Sequence, residues 1–478
     1  MASVNNEKLG RVLVLGMGKT GEGICRYLAS LTVEGGRVSS VTLYGGAKSA
    51  EGDASRALEA LGVRCVLGTE DVRGDYDLAV ASPGIPETSA FYAAAAACSA
   101  EVIGEPELAF RESPERWLAV TGTNGKTTTT SLTTHLLEAA GMAAESVGNI
   151  GVLCIGKVGR RPEGGWLVAE LSSFQLAGTR RLRPRAAALL NITPDHIEWH
   201  GSMEAYAAAK EKVFANMGAG DLAVVSVDDD RCRAAAARCA ARGLRVCELS
   251  VEGEPAGADA AFVRGERLVV RLAGAETDLC ACSDLRIRGR HNWQNALAAS
   301  ALALFAGAGA DEVARGLASF DPIEHRIEPC GEAGGVRFVN DSKATNTDSV
   351  EKALTAFPPR SVVVLLGGHD KGTDLTSLAA ACCAEARAAV CFGEAGERIA
   401  RALEDEASRE GEGPRVLRAA HLREAFGAAV AVAEPGDTVL LSPACSSFDE
   451  FANMGERGRF FKGLVAELCA AEAQKAGE

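Results

Sequence analysis

The sequence predicts an α/β fold organised in about three domains. Three observations carry this. Short apolar runs alternate with helix-patterned segments along the whole chain, the order in which strands and helices follow one another in α/β architecture. Two glycine turns, within residues 16–21 and 122–125, each follow a strand-like run and open a helix-like one. The 478 residues correspond to about three domains at roughly 150 residues each.

The first domain, 1–113, opens with an apolar run at 11–15, the first glycine turn and a helix through Leu28. Strand-like runs follow at 38–44 and 78–81, the latter ending in Ser82-Pro83-Gly84-Ile85-Pro86. A helix-rich stretch leads to a boundary at Ser113-Pro114. The second domain, 114–321, starts with a strand at 117–120 and has further strands at 166–169, 187–190 and 223–227. It closes on a long helix near 292–306 and a shorter one, before Phe320-Asp321-Pro322. The third domain, 322–478, has strands at 336–340, 361–366, 388–392 and 438–441, each with a loop at its carboxyl end, the edge where open parallel sheets bind ligands.

Composition excludes several classes. With 47% hydrophobic and 24% charged residues the chain is not disordered. A net charge of −14 argues against coating nucleic acid or anionic lipid. No uncharged apolar run reaches the ~18 residues of a membrane span. The start of the chain lacks a leader pattern, so a cytoplasmic location is expected. Fifteen cysteines are scattered without zinc-ligand spacing and read as reduced, mostly buried thiols.

Chemistry concentrates in a few motifs. Residues 121–128, Thr-Gly-Thr-Asn-Gly-Lys-Thr-Thr, follow a strand and open a helix. Glycines turn the backbone so that amides face phosphate oxygens. Lys126 neutralises the β and γ phosphates, and the Thr127 hydroxyl can bind Mg²⁺. The strict phosphate-loop pattern wants glycine at 120, where Val120 stands, so this is a shortened variant. Glu170 ends an apolar strand and reads equally as a Mg²⁺ ligand or a helix-start acid. His196, in Asn191-Ile-Thr-Pro-Asp-His196, reads as a ligand, a phosphate contact or a structural residue. Tyr206 and Lys210 share a helix face at i, i+4; by itself Lys210 reads as a solvated lysine.

TGTNGKTTT, ELSSFQL, NITPDH and HGSMEAYAAAK together resemble the Mur ligase family. These are ATP-dependent enzymes that add amino acids to a UDP-linked peptidoglycan precursor; the wider group includes folylpolyglutamate synthase. The resemblance implies a Rossmann-like N-terminal domain, a central P-loop ATPase-like domain and a Rossmann-like C-terminal domain. It also implies that Lys210 carries CO₂ as a carbamate and acts as a metal ligand. Asn340-Asp-Ser-Lys-Ala-Thr-Asn346, Gly367-Gly-His-Asp-Lys-Gly372 and Leu441-Ser-Pro-Ala-Cys-Ser-Ser-Phe-Asp449 resemble the members that join D-glutamate to UDP-N-acetylmuramoyl-L-alanine. The Asp-Asn-Pro-Arg segment of the diaminopimelate- or lysine-adding relatives is missing.

Residue roles follow from the same resemblance. ATP would be held by Gly122, Thr123, Asn124, Gly125, Lys126, Thr127 and Thr128, with Asn292, Asn295, Arg326 and Asp341. Two Mg²⁺ ions would sit on Thr127, Glu170, His196 and carbamylated Lys210. The UDP-sugar would meet Gly18, Lys19, Thr20, Ser82, Gly84, Asn149 and His196. D-Glutamate would meet Thr345, Lys371, Ser447 and Phe448. Lys126, Glu170, His196, Lys210 and Lys343 form the catalytic set. Met454 stands where an aromatic after Asn453 is expected. Small molecules are the expected partners, with no nucleic acid or membrane, and a monomer that closes on a hinge near 321–324.

Two rivals remain. A folylpolyglutamate synthase-like ligase should lack the domain bearing Gly16-Met-Gly-Lys-Thr-Gly21. A nucleotide-binding oxidoreductase would use that GxGxxG, yet the second strand ends Tyr44-Gly45-Gly46 without the acid that binds an NAD ribose.

Overall fold

A computed structural model describes residues 7–33 and 36–476. The chain forms two compact units. One comprises residues up to Asp284 with Trp293–Ala318; the other comprises Leu285–Asn292 and the chain from Ser319 onward. The helix Arg290–Ala306 begins in the second unit and continues in the first.

The first unit contains two sheets. The smaller has five parallel strands, β1 (Gly10–Leu15), β2 (Val38–Tyr44), β3 (Arg64–Val66), β4 (Leu78–Ala81) and β5 (Val102–Gly104), in the order β3-β2-β1-β4-β5. The chain reverses direction of travel across β1, so the crevice between β1 and β4 is a switch point where a ligand can sit. The larger sheet has nine strands. These are β6 (Trp117–Thr121), β7 (Ala144–Gly148), β8 (Trp166–Glu170), β9 (Ala186–Leu189), β10 (Leu222–Ser226), β11 (Arg245–Ser250), β12 (Asp259–Arg264), β13 (Arg267–Leu272) and β14 (Ala275–Ala281). Their order is β14-β13-β12-β11-β10-β9-β6-β8-β7. Its central strands are apolar and fully buried, as helices on both faces require. The β12–β14 meander is antiparallel and carries exposed ion pairs such as Arg264–Glu276 (2.7 Å) and Arg267–Asp278 (2.7 Å).

Buried carboxylates join the two sheets. Both oxygens of Glu107 accept main-chain N–H groups of Arg180, Arg181 and Leu182 at 2.8–2.9 Å, and Arg111 donates to it at 2.8 Å. Glu105 accepts from the Ile155 N–H at 2.7 Å. One apolar core runs through both sheets, from Val12 and Ile24 to Val147, Leu171 and Val225.

The second unit holds six strands, β15 (Glu328–Ala333), β16 (Val336–Asn340), β17 (Val362–Gly367), β18 (Ala386–Phe392), β19 (Arg415–Arg418) and β20 (Thr438–Ala444), ordered β15-β16-β20-β17-β18-β19. Only the β15–β16 pair is antiparallel. The carboxyl ends of β16, β17 and β20 adjoin, which gathers three loops at one edge.

All fifteen cysteines are free thiols, eleven of them buried and four partly so. No helix among the described residues is long and apolar enough to cross a membrane.

Candidate active site

The loop after β6 passes between β8 and β9 into the helix Lys126–Ala139. Gly125 has φ +83°, and a Cβ there would strike Asn295 Oδ1, so a side chain is excluded on both counts. The Asn124 N–H donates to Asn191 Oδ1 at 2.8 Å, and Asn191 Nδ2 returns a bond to Asn124 O at 3.2 Å. Thr123 Oγ1 donates to Thr193 O (3.0 Å), accepts from the Thr193 N–H (3.0 Å) and lies 2.9 Å from the Tyr206 hydroxyl. The loop conformation is therefore built from NITPDH and from the helix Met203–Glu211, not from the loop alone.

Two ammonium groups converge on this loop. Lys126 Nζ donates to Gly122 O (2.9 Å) and Thr123 O (2.7 Å); Lys210 Nζ donates to Gly122 O (2.7 Å). Lys210 is 2% exposed, so its reading as a solvated lysine is overturned. Its spacing from Tyr206 puts the ammonium 4.6 Å from that ring centre. Burial, then the charge of Lys126, push the Lys210 amine well below the ordinary lysine range.

Glu170 is the last residue of β8, before the Ser172 cap of the short helix Ser173–Ala177, so it is not a first-turn helix acid. Its Oε1 accepts from Asn149 Nδ2 at 2.8 Å, while Oε2 is buried with no hydrogen-bond partner. An orphaned carboxylate oxygen beside a phosphate loop is the donor that a hard divalent cation takes. Among the described residues no group of three or more His, Cys, Asp or Glu could hold a metal by itself.

His196 is about half exposed, in left-handed backbone geometry (φ +54°), 3.4 Å from Asp195 and 4.7 Å from the Phe174 ring. Phe174 also meets Trp199 (4.7 Å) and His200 (5.7 Å). His200 Nε2 lies 2.9 Å from Ser173 Oγ, and burial with the charge of Lys210 pushes its imidazole down to about 4. Sequence reasoning gave no role to Asn191, Tyr206 or His200. All three lie inside the motifs that carried the resemblance, so the signal was present.

The first glycine loop has a different character. A Cβ on Gly21 would collide with Gly16 O, which holds the helix Lys19–Ala29 close to β1. Ser82 follows β4 and donates its N–H to Leu15 O at 3.0 Å. Lys19 is exposed and reaches Gly151 O at 2.5 Å, bringing the expected diphosphate lysine to the Gly148–Gly151 turn that carries Asn149.

In the second unit, Asp341 is buried after β16. It accepts from Ser442 Oγ (2.8 Å) and the Ile327 N–H (3.3 Å), and burial pushes its carboxyl up to about 7. The preceding turn is strained at His325 (φ +66°), whose Nδ1 lies 2.8 Å from Asn340 Nδ2. The Lys343 N–H donates to His325 O at 3.2 Å. Asn292 Nδ2 caps Arg288 O at 2.7 Å, whereas Asn295 belongs to the first unit, where Thr129 Oγ1 donates to its Oδ1 at 3.2 Å. Lys371 Nζ donates to Thr345 O at 2.8 Å. Ser447 is buried and Phe448 is 70% exposed. Arg457, which no sequence signal marked, is fully buried and donates to Ser342 Oγ (3.0 Å), Ser342 O (2.9 Å) and Ser446 O (3.2 Å). Burial lowers its guanidinium to about 10. Met454 contributes its carbonyl, which accepts from Ser342 Oγ at 2.7 Å.

Two sequence profiles match the chain: the Mur ligase middle domain over residues 120–303, and the Mur ligase, glutamate ligase domain over 325–445. The chain belongs to the Mur ligase family. This Mur ligase is 39% identical to a UDP-N-acetylmuramoylalanine–D-glutamate ligase from Acidobacterium capsulatum, covering 95% of the chain and 96% of that protein. It is 40% identical to one from Salinibacter ruber, covering 96% and 98%. Among solved structures it shares its fold with MurF from Acinetobacter baumannii (TM-score 0.61, 17% identity, 96% and 93% covered). The same holds for a pseudomurein peptide ligase type C from Methanothermus fervidus (TM-score 0.59, 16% identity, 95% and 100% covered). Membership of this family displaces the oxidoreductase reading of residues 16–21.

Proposed function

We propose that this Mur ligase joins D-glutamate to UDP-N-acetylmuramoyl-L-alanine at the expense of ATP, in peptidoglycan precursor synthesis. Its end-to-end similarity to D-glutamate ligases carries the reading. The enzyme is an ATP-dependent, amide-forming ligase. We assign the substrates to a Rossmann-like UDP-sugar domain (1–113), a P-loop ATPase-like domain (114–321) and a Rossmann-like amino-acid domain (322–478), acting as a monomer in the cytoplasm.

The chemistry follows phosphoryl-transfer logic. The substrate carboxylate attacks the γ-phosphorus, ADP leaves, and an acyl phosphate forms. The D-glutamate amine then attacks the acyl carbon, and phosphate departs as the amide closes. Residues 122–128 hold the phosphate chain, and Lys126 exchanges its two loop carbonyls for phosphate oxygens. Asn292, Asn295, Arg326 and Asp341 orient the nucleotide. Lys19, Thr20, Ser82, Gly84 and Asn149 hold the UDP-sugar. Thr345, Lys371, Ser447 and Phe448 receive D-glutamate, with Lys343 beside it.

Thr127, Glu170, His196 and carbamylated Lys210 would hold two Mg²⁺ ions, which neutralise the phosphates when bound. The lowered basicity of Lys210 supports the carbamate. A neutral amine attacks CO₂, an N–C bond forms, one proton leaves, and a buried cation becomes an anionic ligand.

The direct test mixes the enzyme with ATP, Mg²⁺, UDP-N-acetylmuramoyl-L-alanine and D-glutamate. Phosphate release that depends on D-glutamate is expected; release no greater than in the minus-glutamate control refutes the assignment.

A further inference from the structure

The segment Gly368–Thr373 follows β17 and carries Lys371, the cation assigned to D-glutamate. It is gripped on both sides of that lysine by two residues that no motif marked, Glu394 and Arg398, near the start of the helix Gly396–Glu410. Glu394 Oε2 lies 2.6 Å from His369 Nδ1 and also accepts the Asp370 N–H at 3.3 Å. Arg398 makes a two-pronged pair with Asp370, Nε to Oδ2 at 2.7 Å and Nη2 to Oδ1 at 2.6 Å, and its Nη1 donates to Thr373 O at 2.8 Å. The grips therefore fall on residues 369 and 370 before Lys371 and on residue 373 after it.

The same cluster ties this segment to the turn that carries Ser447 and Phe448. The His369 N–H donates to Ser446 O at 2.9 Å, and the Glu394 N–H donates to Asp449 Oδ2 at 3.3 Å. The lysine itself points its Nζ to Thr345 O, so the four expected D-glutamate contacts are set relative to one another through the 369–373 segment. Fixing the backbone on both sides of one lysine reduces the chain entropy lost when a dicarboxylate is captured.

We propose that Glu394 and Arg398 form a positioning clamp that presents Lys371 to the side-chain carboxylate of the incoming amino acid, and so set the affinity for that substrate. The proposal rests on the D-glutamate ligase reading and adds to it a specificity device outside the substrate-contacting residues. Glu394 and His369 are about half exposed, so the pair contributes little to global stability. Its loss is felt in the geometry of the loop.

The test is steady-state kinetics on the full chain with each substrate varied in turn. Glu394→Ala is expected to raise KM for D-glutamate about fivefold to tenfold, with kcat and KM for ATP within about twofold of wild type. Glu394→Gln keeps an acceptor oxygen and should remain within about threefold of wild type on KM for D-glutamate. Arg401→Ala removes the exposed Arg401–Glu397 pair on the same helix and should change nothing. An unchanged KM for D-glutamate in Glu394→Ala overturns the clamp, as does an equal rise in KM for ATP. D-Glutamate-dependent phosphate release by the wild type is the internal reference; its absence would overturn the ligase reading and the clamp together, which separates the two failures.

Discussion

The two glycine loops of the first unit share one local recipe and differ in what surrounds them. Each follows a largely buried strand with a parallel neighbour on either side, and each opens a helix with a lysine at its first position. Around the first loop the lysine is solvent-exposed and bonds a turn carbonyl of the neighbouring sheet. Around the second, two lysines meet on one carbonyl, a carboxylate oxygen is buried without a partner, and the threonines are almost inaccessible. Glycines make either loop able to approach an anion. The desolvated charges around the second are what would suit it to the triphosphate proposed for it, since preorganised charge acts most strongly where water is excluded.

The largest break in this comparison comes from the two lysines that meet at the second loop. Lys126→Ala and Lys210→Ala should each cut D-glutamate-dependent phosphate release by about a thousandfold or more. Short carboxylic acids should restore part of the Lys210→Ala activity by supplying the missing acid oxygens. Full activity in Lys210→Ala without additive would contradict the carbamate.

A glycine substitution sharpens the contrast. Gly125→Ala puts a methyl against Asn295 in a left-handed backbone and should cost at least about tenfold in kcat/KM for ATP. Lys19→Ala should be milder than the Lys126 and Lys210 variants. Raising KM for the UDP-sugar about threefold to tenfold with little change in kcat is the expected result, because an exposed cation contributes on the order of 1 kcal/mol. Substrate-by-substrate kinetics check both.

The remaining effect is on stability alone and lies at the joint between the two sheets. Burial holds the Glu105 carboxyl up to about 7 from the ordinary 4.5. The folded chain keeps this proton through a range in which the unfolded chain loses it. Stability therefore falls as pH rises from about 4.5 to about 7 and is level above. Glu105→Gln removes the penalty. Denaturant unfolding should find the variant more stable by at most about 3 kcal/mol at pH 8, and equal to wild type near pH 4.

Much of the catalytic end was legible in the sequence because glycine turns and strand-terminal acids occur in short, contiguous motifs. The strands 38–44, 78–81 and 336–340 were located to the residue for a similar reason: each is rich in strand-forming aliphatic, β-branched or aromatic residues and has turn residues after it. What the sequence hid is of two kinds. β3, β5, β15 and β19 are short or lie at sheet edges, and the apolar stretches of β12–β14 are only two to four residues long and flanked by charged or polar residues. Long-range partners were hidden as well. Lys210 looks like a surface helix lysine until the fold lays Gly122, 88 residues away, against it. Arg457 and Glu394 sit in helical or turn sequence whose pattern says nothing of the loops they hold.

The account depends on the substrate acid being activated by direct attack on the γ-phosphate. UDP-N-acetylmuramoyl-L-alanine labelled with ¹⁸O in both carboxylate oxygens tests this by mass spectrometry of the released phosphate. One labelled oxygen per phosphate is the predicted result, with the other retained in the amide. Unlabelled phosphate formed in step with amide product would contradict the acyl-phosphate route.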